Sequence, residues 1–332
     1  MATFKISDRL QELSAKGEKF VSFEFFPPRT DDGVTSLMSR IQRYNDQQPL
    51  FMDMTWGAGG STSDLTLDLC TRMVKECGAN ANMHLTCTNM PSEKIDIALK
   101  GARDAGIRNI VALRGDPPAG EEAWEAVEGG YSCALDLVKH IRKEHGDFFS
   151  IAVSGYPEGH PNAITKVQDE AELTESERER VIEMEDGLYV CRDGDFQKEM
   201  EYLKAKVDAG ADLIITQMVF DAPVYGAFLK ACKAYGINIP VVPGIMCIQN
   251  AGGFKRMTAF CKSRTPAALR AAVEAAGDDK EAIRKVAVEH GAQLCRDLQA
   301  AGAPGLHFYT LNLEKVTLAI LDALNLNKVP VE

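Results

Sequence analysis

Residues 195–220 read DFQKEMEYLKAKVDAGADLIITQMVF, and the two halves of the stretch carry different periods. Up to Asp208 the apolar residues Phe196, Met200, Leu203 and Val207 recur every three or four positions, which is one face of a helix, and Gly210 closes it. From Leu213 to Phe220 the chain is a short apolar run rich in β-branched residues, the pattern of a strand buried on both faces. Helix, glycine and two-faced strand together are the unit of a parallel sheet.

The unit repeats in both directions. Strand-like runs occupy 19–26, 51–56, 82–87, 109–115, 150–157, 213–220, 239–246 and 305–311, and helical spacing fills the gaps, as in STSDLTLDLCTRMVKECG at 61–78. Eight alternating units favour a closed (β/α)8 barrel of the TIM type; an open doubly wound sheet is the other arrangement the pattern allows. No repeat or linker marks a second domain, so one α/β barrel over 1–332 is expected. Two stretches break the rhythm. After the fifth strand, 161–195 is a polar excursion whose segment 169–186 holds nine Asp or Glu against two Arg, a balance of -7 in a chain of net charge -11. A solvated surface helix or a partly disordered insertion is the expectation there. Between strands seven and eight, 252–302 has room for two or three helices.

The bulk composition excludes several classes. A net charge of -11 speaks against nucleic acid as a partner, and no apolar run is long enough for a membrane span or a signal peptide. Nine scattered cysteines without a Cys-x-x-Cys pair suggest reduced thiols in a cytoplasmic protein. No His-x-His or His-Glu-x-x-His spacing appears, so no metal is expected.

In a barrel of this class the chemistry sits where strands end. Those ends carry Glu24, Thr55-Trp56-Gly57, His84 with Thr86, Arg114-Gly115-Asp116, Tyr156 with His160, Gln217, Pro243-Gly244, and Tyr309 with Asn312. Core filling would leave apolar residues there, so the convergence points to a catalytic mouth. Glu24, in FVSFEFFPPRT at 20–30, is either a structural carboxylate paired with Arg29 or Arg114, or an acid. Alternation places it with Ser22 and Phe26 on one face, and aromatic surroundings favour the protonated form of a carboxyl, which suits a general acid. His84 and His160 read equally as core or loop histidines. TWGAGGST at 55–62 could cradle a phosphate, but Thr62 replaces the third glycine of a dinucleotide fingerprint and Cys77-Gly78 stands where its acid would be.

Taken together, VSFEFFPPRT, TWGAGGST, HLTC, NIVALRGDPP, GYPEGHPNA, DAGADLIITQMVFD, PVVPGIM and GLHFYTLN resemble, in order and position, the methylenetetrahydrofolate reductases. The resemblance runs from about residue 18 to 325 and implies a flavin barrel. FAD would carry hydride from NADH or NADPH to 5,10-methylenetetrahydrofolate in a ping-pong reaction, giving 5-methyltetrahydrofolate. It also implies a homo-oligomer and, because the chain ends soon after the eighth strand, the catalytic barrel without the C-terminal regulatory domain. By position, the resemblance makes Glu24 the general acid, Asp116 a carboxylate near pterin and flavin, and Gln217 an amide shared by nucleotide and folate. It assigns FAD contacts to Thr55, Trp56, His84, Leu113, Arg114, Gly115, Asp116, Ala134, Tyr156, His160, Asn162, Ala163 and Lys206. Phe25, Phe26, Pro27, Pro28 and Arg29, with Glu24 and Thr55, would face nicotinamide; Tyr309, with Glu24, Asp116 and Gln217, would face folate.

Three departures stand out: Leu313 replaces an arginine, Cys133 replaces a tyrosine, and the acidic insertion follows the GYPEGHPNA loop, where it could form a lid. A different flavin barrel, similar to proline dehydrogenase, and a catalytically dead binding module are the competing readings.

Overall fold

Strand β1 (Phe20–Phe25) sorts its side chains by alternation. Phe23 and Phe25 pack on Tyr44 of the helix Asp31–Asp46, with ring centroids 4.5 and 5.2 Å apart. Glu24 therefore faces the other side. Thr30 caps the helix by accepting from the Gly33 amide, and Asp31 and Asp32 sit in the first turn, where the helix dipole favours negative charge. Each buried phenylalanine contributes on the order of 2–3 kcal/mol through its apolar surface.

The computed structural model describes residues 3–57, 63–115 and 126–329. Asp116 and residues 58–62 of the glycine-rich loop lie outside the described residues. After β1 come β2 (Phe51–Met54), β3 (Ala81–Thr86), β4 (Asn109–Leu113) and β5 (Ser150–Gly155). Next are β6 (Ile164–Lys166), β7 (Ile182–Met184) and β8 (Gly187–Cys191), then β9 (Leu213–Met218), β10 (Val241–Met246) and β11 (Gly305–Tyr309). Eight of them close a barrel in the order β1-β11-β10-β9-β5-β4-β3-β2, matching the eight expected strands and excluding the open sheet. Three helices, Ala251–Cys261, Ala267–Ala276 and Lys280–Ala300, fill the long gap before β11.

The chain divides into two compact units, described in turn. The first comprises Met1–Ser154, Ala205–Ile214 and Thr310–Asn312. Its strands pair in parallel, with Glu24 beside Asp53, Asp53 beside Asn82, and His84 beside Val111. Arg142, on the helix Ala134–His145, donates to the carbonyls of Gly146, Phe149 and Gly210 and to Asp212, whose carboxylate also accepts from the Ile151 amide. That single side chain ties the end of a helix to the start of a strand, which explains the polar DAGAD segment ahead of the apolar run.

The second unit comprises Gly155–Lys204, Ile215–Tyr309 and Leu313–Glu332. Here the acidic excursion departs from expectation. Ahead of the helix Asp193–Asp208, Glu175–Arg180 is its one α-helical segment; β6, β8 and β7 form a three-stranded antiparallel sheet in that order. Ile164, Ile182 and Cys191 are its buried centre, with Ala163, Met184, Tyr189 and Phe196 packed against them. Thr174 and Glu177 form a reciprocal capping box, and Arg180 donates to the Cys191 carbonyl and to Asp193. The charges are thus largely spent in pairs around a small core.

Candidate active site

Glu24 is next to last in β1, with its carboxylate 3.4 Å from His84 Nε2. The same nitrogen lies 3.1 Å from Asp53 Oδ2, and Asp53 Oδ1 accepts from Asn82 Nδ2 at 2.9 Å. Asp53 is fully buried, whereas Glu24 keeps 18% of its side-chain surface and His84 keeps 10%. Burial opposes charge on the imidazole, but the hydrogen bond to Asp53 and the charges of Glu24 and Asp53 outweigh it and raise the His84 pKa above its ordinary value. Two carboxylates and an imidazole, one from each of three adjacent strands, lie within 4.8 Å of one another. The acid therefore faces a polar cluster, and the phenylalanines beside it in sequence serve the opposite face.

Around this cluster the first unit places several more of the expected residues. Thr55 lies just past β2, its amide donating to the Phe25 carbonyl and its own carbonyl accepting from Thr66. The indole Nε1 of Trp56 and the hydroxyl of Thr86 are buried without a hydrogen-bond partner among the described residues. Leu113 ends β4, and the Arg114 carbonyl accepts from the Cys87 and Thr88 amides and the Thr88 hydroxyl. Gly115 has φ +91, and a Cβ there would stand 2.6 Å from Thr88 Oγ1 and 2.8 Å from Thr86 Cβ, so only glycine serves. Ala134 begins its helix just after Cys133, and Lys206 is buried with its ammonium donating to the Ser154 carbonyl at 2.9 Å. The Asn312 carboxamide bonds the backbone of Phe26, a residue 45% exposed at the start of the Phe26–Arg29 segment.

The second unit holds the others. Tyr156 and His160 meet edge to face at 4.8 Å, and His160 Nδ1 accepts from the Asn162 amide in the turn Pro161–Ala163. Lys262 donates to the carbonyls of Pro161 and Ile164, strapping that loop from outside the motif. Glu158, within the loop, is buried and accepts from the Arg264 amide; burial is the main cause that raises its pKa to about 7. Gln217 curls onto its own backbone, Oε1 accepting from the Met218 amide. Tyr309 donates to the Thr216 carbonyl, and Leu313 is exposed. A cavity of about 840 Å³ around His290, Asp221 and Arg264 is lined by none of the expected site residues.

Asp53, Asn82, Glu158 and Lys262 were not singled out from sequence. The available signal for Asp53 was an acid inside FMDM, a run otherwise apolar and destined for burial.

The profile of the family Methylenetetrahydrofolate reductase matches residues 9–325. Methylenetetrahydrofolate reductase (NADH) 1 of Arabidopsis thaliana is 47% identical over 97% of this chain and 51% of its own length. Methylenetetrahydrofolate reductase 1 of Schizosaccharomyces pombe is 40% identical, with 97% of this chain and 48% of that protein covered. The chain thus spans about half the length of the curated relatives it matches. Among solved structures, an uncharacterized Clostridium thermocellum protein that binds two copies of 5-methyl-5,6,7,8-tetrahydrofolic acid superimposes with a TM-score of 0.55. At 12% identity, over 95% of this chain and 97% of that one, it shows a shared fold. All nine cysteines are free thiols, and among the described residues no helix is long and apolar enough to cross a membrane.

Proposed function

We propose, from the premise that this chain belongs to the methylenetetrahydrofolate reductase family, that it reduces 5,10-methylenetetrahydrofolate to 5-methyltetrahydrofolate with NAD(P)H as hydride source and FAD as carrier. The observation that carries the reading is the Glu24 carboxylate at a strand end, partly open to solvent and backed by the His84–Asp53 pair.

The chemistry asks for such a group. The imidazolidine ring of the substrate accepts hydride poorly until N10 takes a proton; the bond from the bridging carbon to N10 then breaks, its electrons pass to N10, and a 5-iminium cation remains. Glu24 gives that proton, and hydride addition to the cation makes the methyl group. His84 Nε2 lies 3.4 Å from the Glu24 carboxylate, so the acid sits against a polar neighbour that is itself bonded to Asp53. Asp116 is assigned to stabilise the cation. Gln217 and Tyr309 are assigned to hold the pterin.

The residues present fit a flavin. Trp56 Nε1 and Thr86 Oγ1 are buried polar atoms awaiting a partner, and the Arg114–Gly115 turn cannot carry a Cβ. Thr55, Trp56, His84, Leu113, Arg114, Gly115, Ala134, Tyr156, His160, Asn162, Ala163 and Lys206 would hold it. When bound, FAD supplies hydride exchange, accepting from nicotinamide and yielding to folate in turn. The higher identity to a relative named for NADH, 47%, than to a Caenorhabditis elegans relative named for NADPH, 32%, favours NADH.

Anaerobic stopped-flow separates the two half-reactions. Glu24→Gln should leave flavin reduction by NADH within about twofold of wild type and slow reoxidation by methylenetetrahydrofolate by roughly 10²-fold or more. Equal loss in both halves, or a purified protein that takes up no FAD, would overturn the reading.

A further inference from the structure

We propose that Asp53 is a positioning residue for the Glu24 proton, acting through His84 by claiming the imidazole Nε2–H that would otherwise turn to Glu24. The inference rests on Glu24 being the acid of the reaction proposed above.

Asp53 occupies the centre of a buried strand, where an acid costs several kcal/mol unless fully partnered. Its partners are specific. Asn82 donates to Oδ1 at 2.9 Å and so fixes the plane of the carboxylate, leaving Oδ2 against His84 Nε2 at 3.1 Å. Glu24, directly beside Asp53 in strand register, reaches the same nitrogen at the longer distance of 3.4 Å. One nitrogen thus faces two carboxylates and carries at most one hydrogen. The shorter contact takes it, so the ring donates to Asp53 rather than to Glu24.

Removing the Asp53 charge reverses this. An imidazole N–H with Glu24 as its one anionic neighbour among the described residues donates to that carboxylate, the form with no proton to give. A bare Nε2 instead captures the Glu24 proton; either way delivery to N10 slows. A buried carboxylate that fixes the state of a neighbouring imidazole is a general device, and its loss is felt in rate more than in structure. The charged groups facing His84 among the described residues are Glu24 on β1 and Asp53 on β2; its register neighbour on β4 is Val111, which is apolar.

Asp53→Asn keeps size and the Asn82 contact. In the full chain loaded with FAD, it should slow the folate half-reaction by about tenfold to 10³-fold and shift its pH profile, with flavin reduction by NADH within about twofold. In the double variant Glu24→Gln/Asp53→Asn, the loss should not exceed that of Glu24→Gln alone, because Asp53 acts through the acid. Histidine-selective NMR of the apoprotein gives a readout free of turnover. Of six imidazole signals, that of His84 should titrate above the ordinary value in wild type and fall in Asp53→Asn.

An unchanged rate and pH profile in Asp53→Asn, additive losses in the double variant, or equal loss in both half-reactions would overturn the proposal while leaving Glu24 as the acid. Normal folate reduction by Glu24→Gln would instead remove the acid and the positioning role with it. Should Asp53→Asn not accumulate as a folded flavoprotein, Asn82→Ala releases Oδ1 and reads the same link. A smaller shift of the folate pH profile in the same sense is then expected, and no shift would overturn the proposal.

Discussion

Asn312 grips the backbone of Phe26 with both ends of its carboxamide, Oδ1 accepting from the amide at 3.0 Å and Nδ2 donating to the carbonyl at 2.8 Å. The grip requires a left-handed backbone: Leu311 and Asn312 have φ of 55 and 57, and Arg40 donates to the Asn312 carbonyl to hold the turn. Asparagine tolerates that conformation better than other residues with a side chain. The chain leaving β1 is therefore anchored where it enters FPPRT.

Asn312→Ala should remove both bonds and cost about 2–4 kcal/mol in urea unfolding, given roughly 1 kcal/mol per bond plus strain at positive φ. Asn312→Asp keeps the acceptor and should cost less. If Phe26–Arg29 serve nicotinamide, stopped-flow of the alanine variant should show a several-fold higher half-saturating NADH with the folate half-reaction changed less. Equal weakening of both substrates would detach this segment from the nucleotide.

Tyr309 presents a different constraint. Its phenol donates to the Thr216 carbonyl at 2.6 Å, and its ring lies so close to Gly244 that a Cβ there would stand 2.4 Å from Cε2. Gly244→Ala must displace the ring and should cost about 1–3 kcal/mol as an overpacked site. Tyr309→Phe keeps the packing and should cost about 1 kcal/mol. Since the hydroxyl is already engaged, Tyr309→Phe should change folate half-saturation by less than about threefold while Gly244→Ala raises it more. A large effect of the hydroxyl alone would mean that it leaves Thr216 for the substrate.

The periodic parts of the molecule were open to reading from sequence because alternation and helical spacing are local. The run after Gly210 becomes β9, and all eight expected strands form within two residues of their expected starts. What failed to show was lateral. Glu24, Asp53 and His84 are about thirty residues apart from one to the next, and only strand register brings them together. Glu24 could be singled out because it is a lone carboxylate among phenylalanines at the close of a strand; Asp53 sits among Met52 and Met54 and gives no period of its own. In the acidic excursion the misreading has another cause. Charge density reads as solvation, while the core rests on Ile164, Ile182 and Cys191, too far apart to show a period. The pairing that satisfies those charges, such as Glu177 with Arg192 and Arg180 with Asp193, is itself tertiary.

Glu158 gives the barrel a stability that depends on pH in an unusual sense. Buried in the loop that carries Tyr156 and His160, it accepts from the Arg264 amide at 2.9 Å, and desolvation raises its pKa from 4.5 to about 7. The nearby charge of Asp221 pushes the same way, while the bonds it accepts and Arg264 push back. Between pH 4.5 and about 7 the folded protein holds a proton that the unfolded chain has lost. Stability from this group therefore falls as pH rises through that window and is level above it, the reverse of a salt-bridged carboxylate; the full effect is on the order of 3 kcal/mol. Glu158→Gln keeps an oxygen for the Arg264 amide and has no charge to bury. Urea unfolding should find the variant and wild type equal within about 0.5 kcal/mol at pH 5 and the variant more stable by about 1–3 kcal/mol at pH 8. A difference that is the same at both pH values would show that Glu158 is ionised in the folded protein throughout, with Arg264 as its counter-charge.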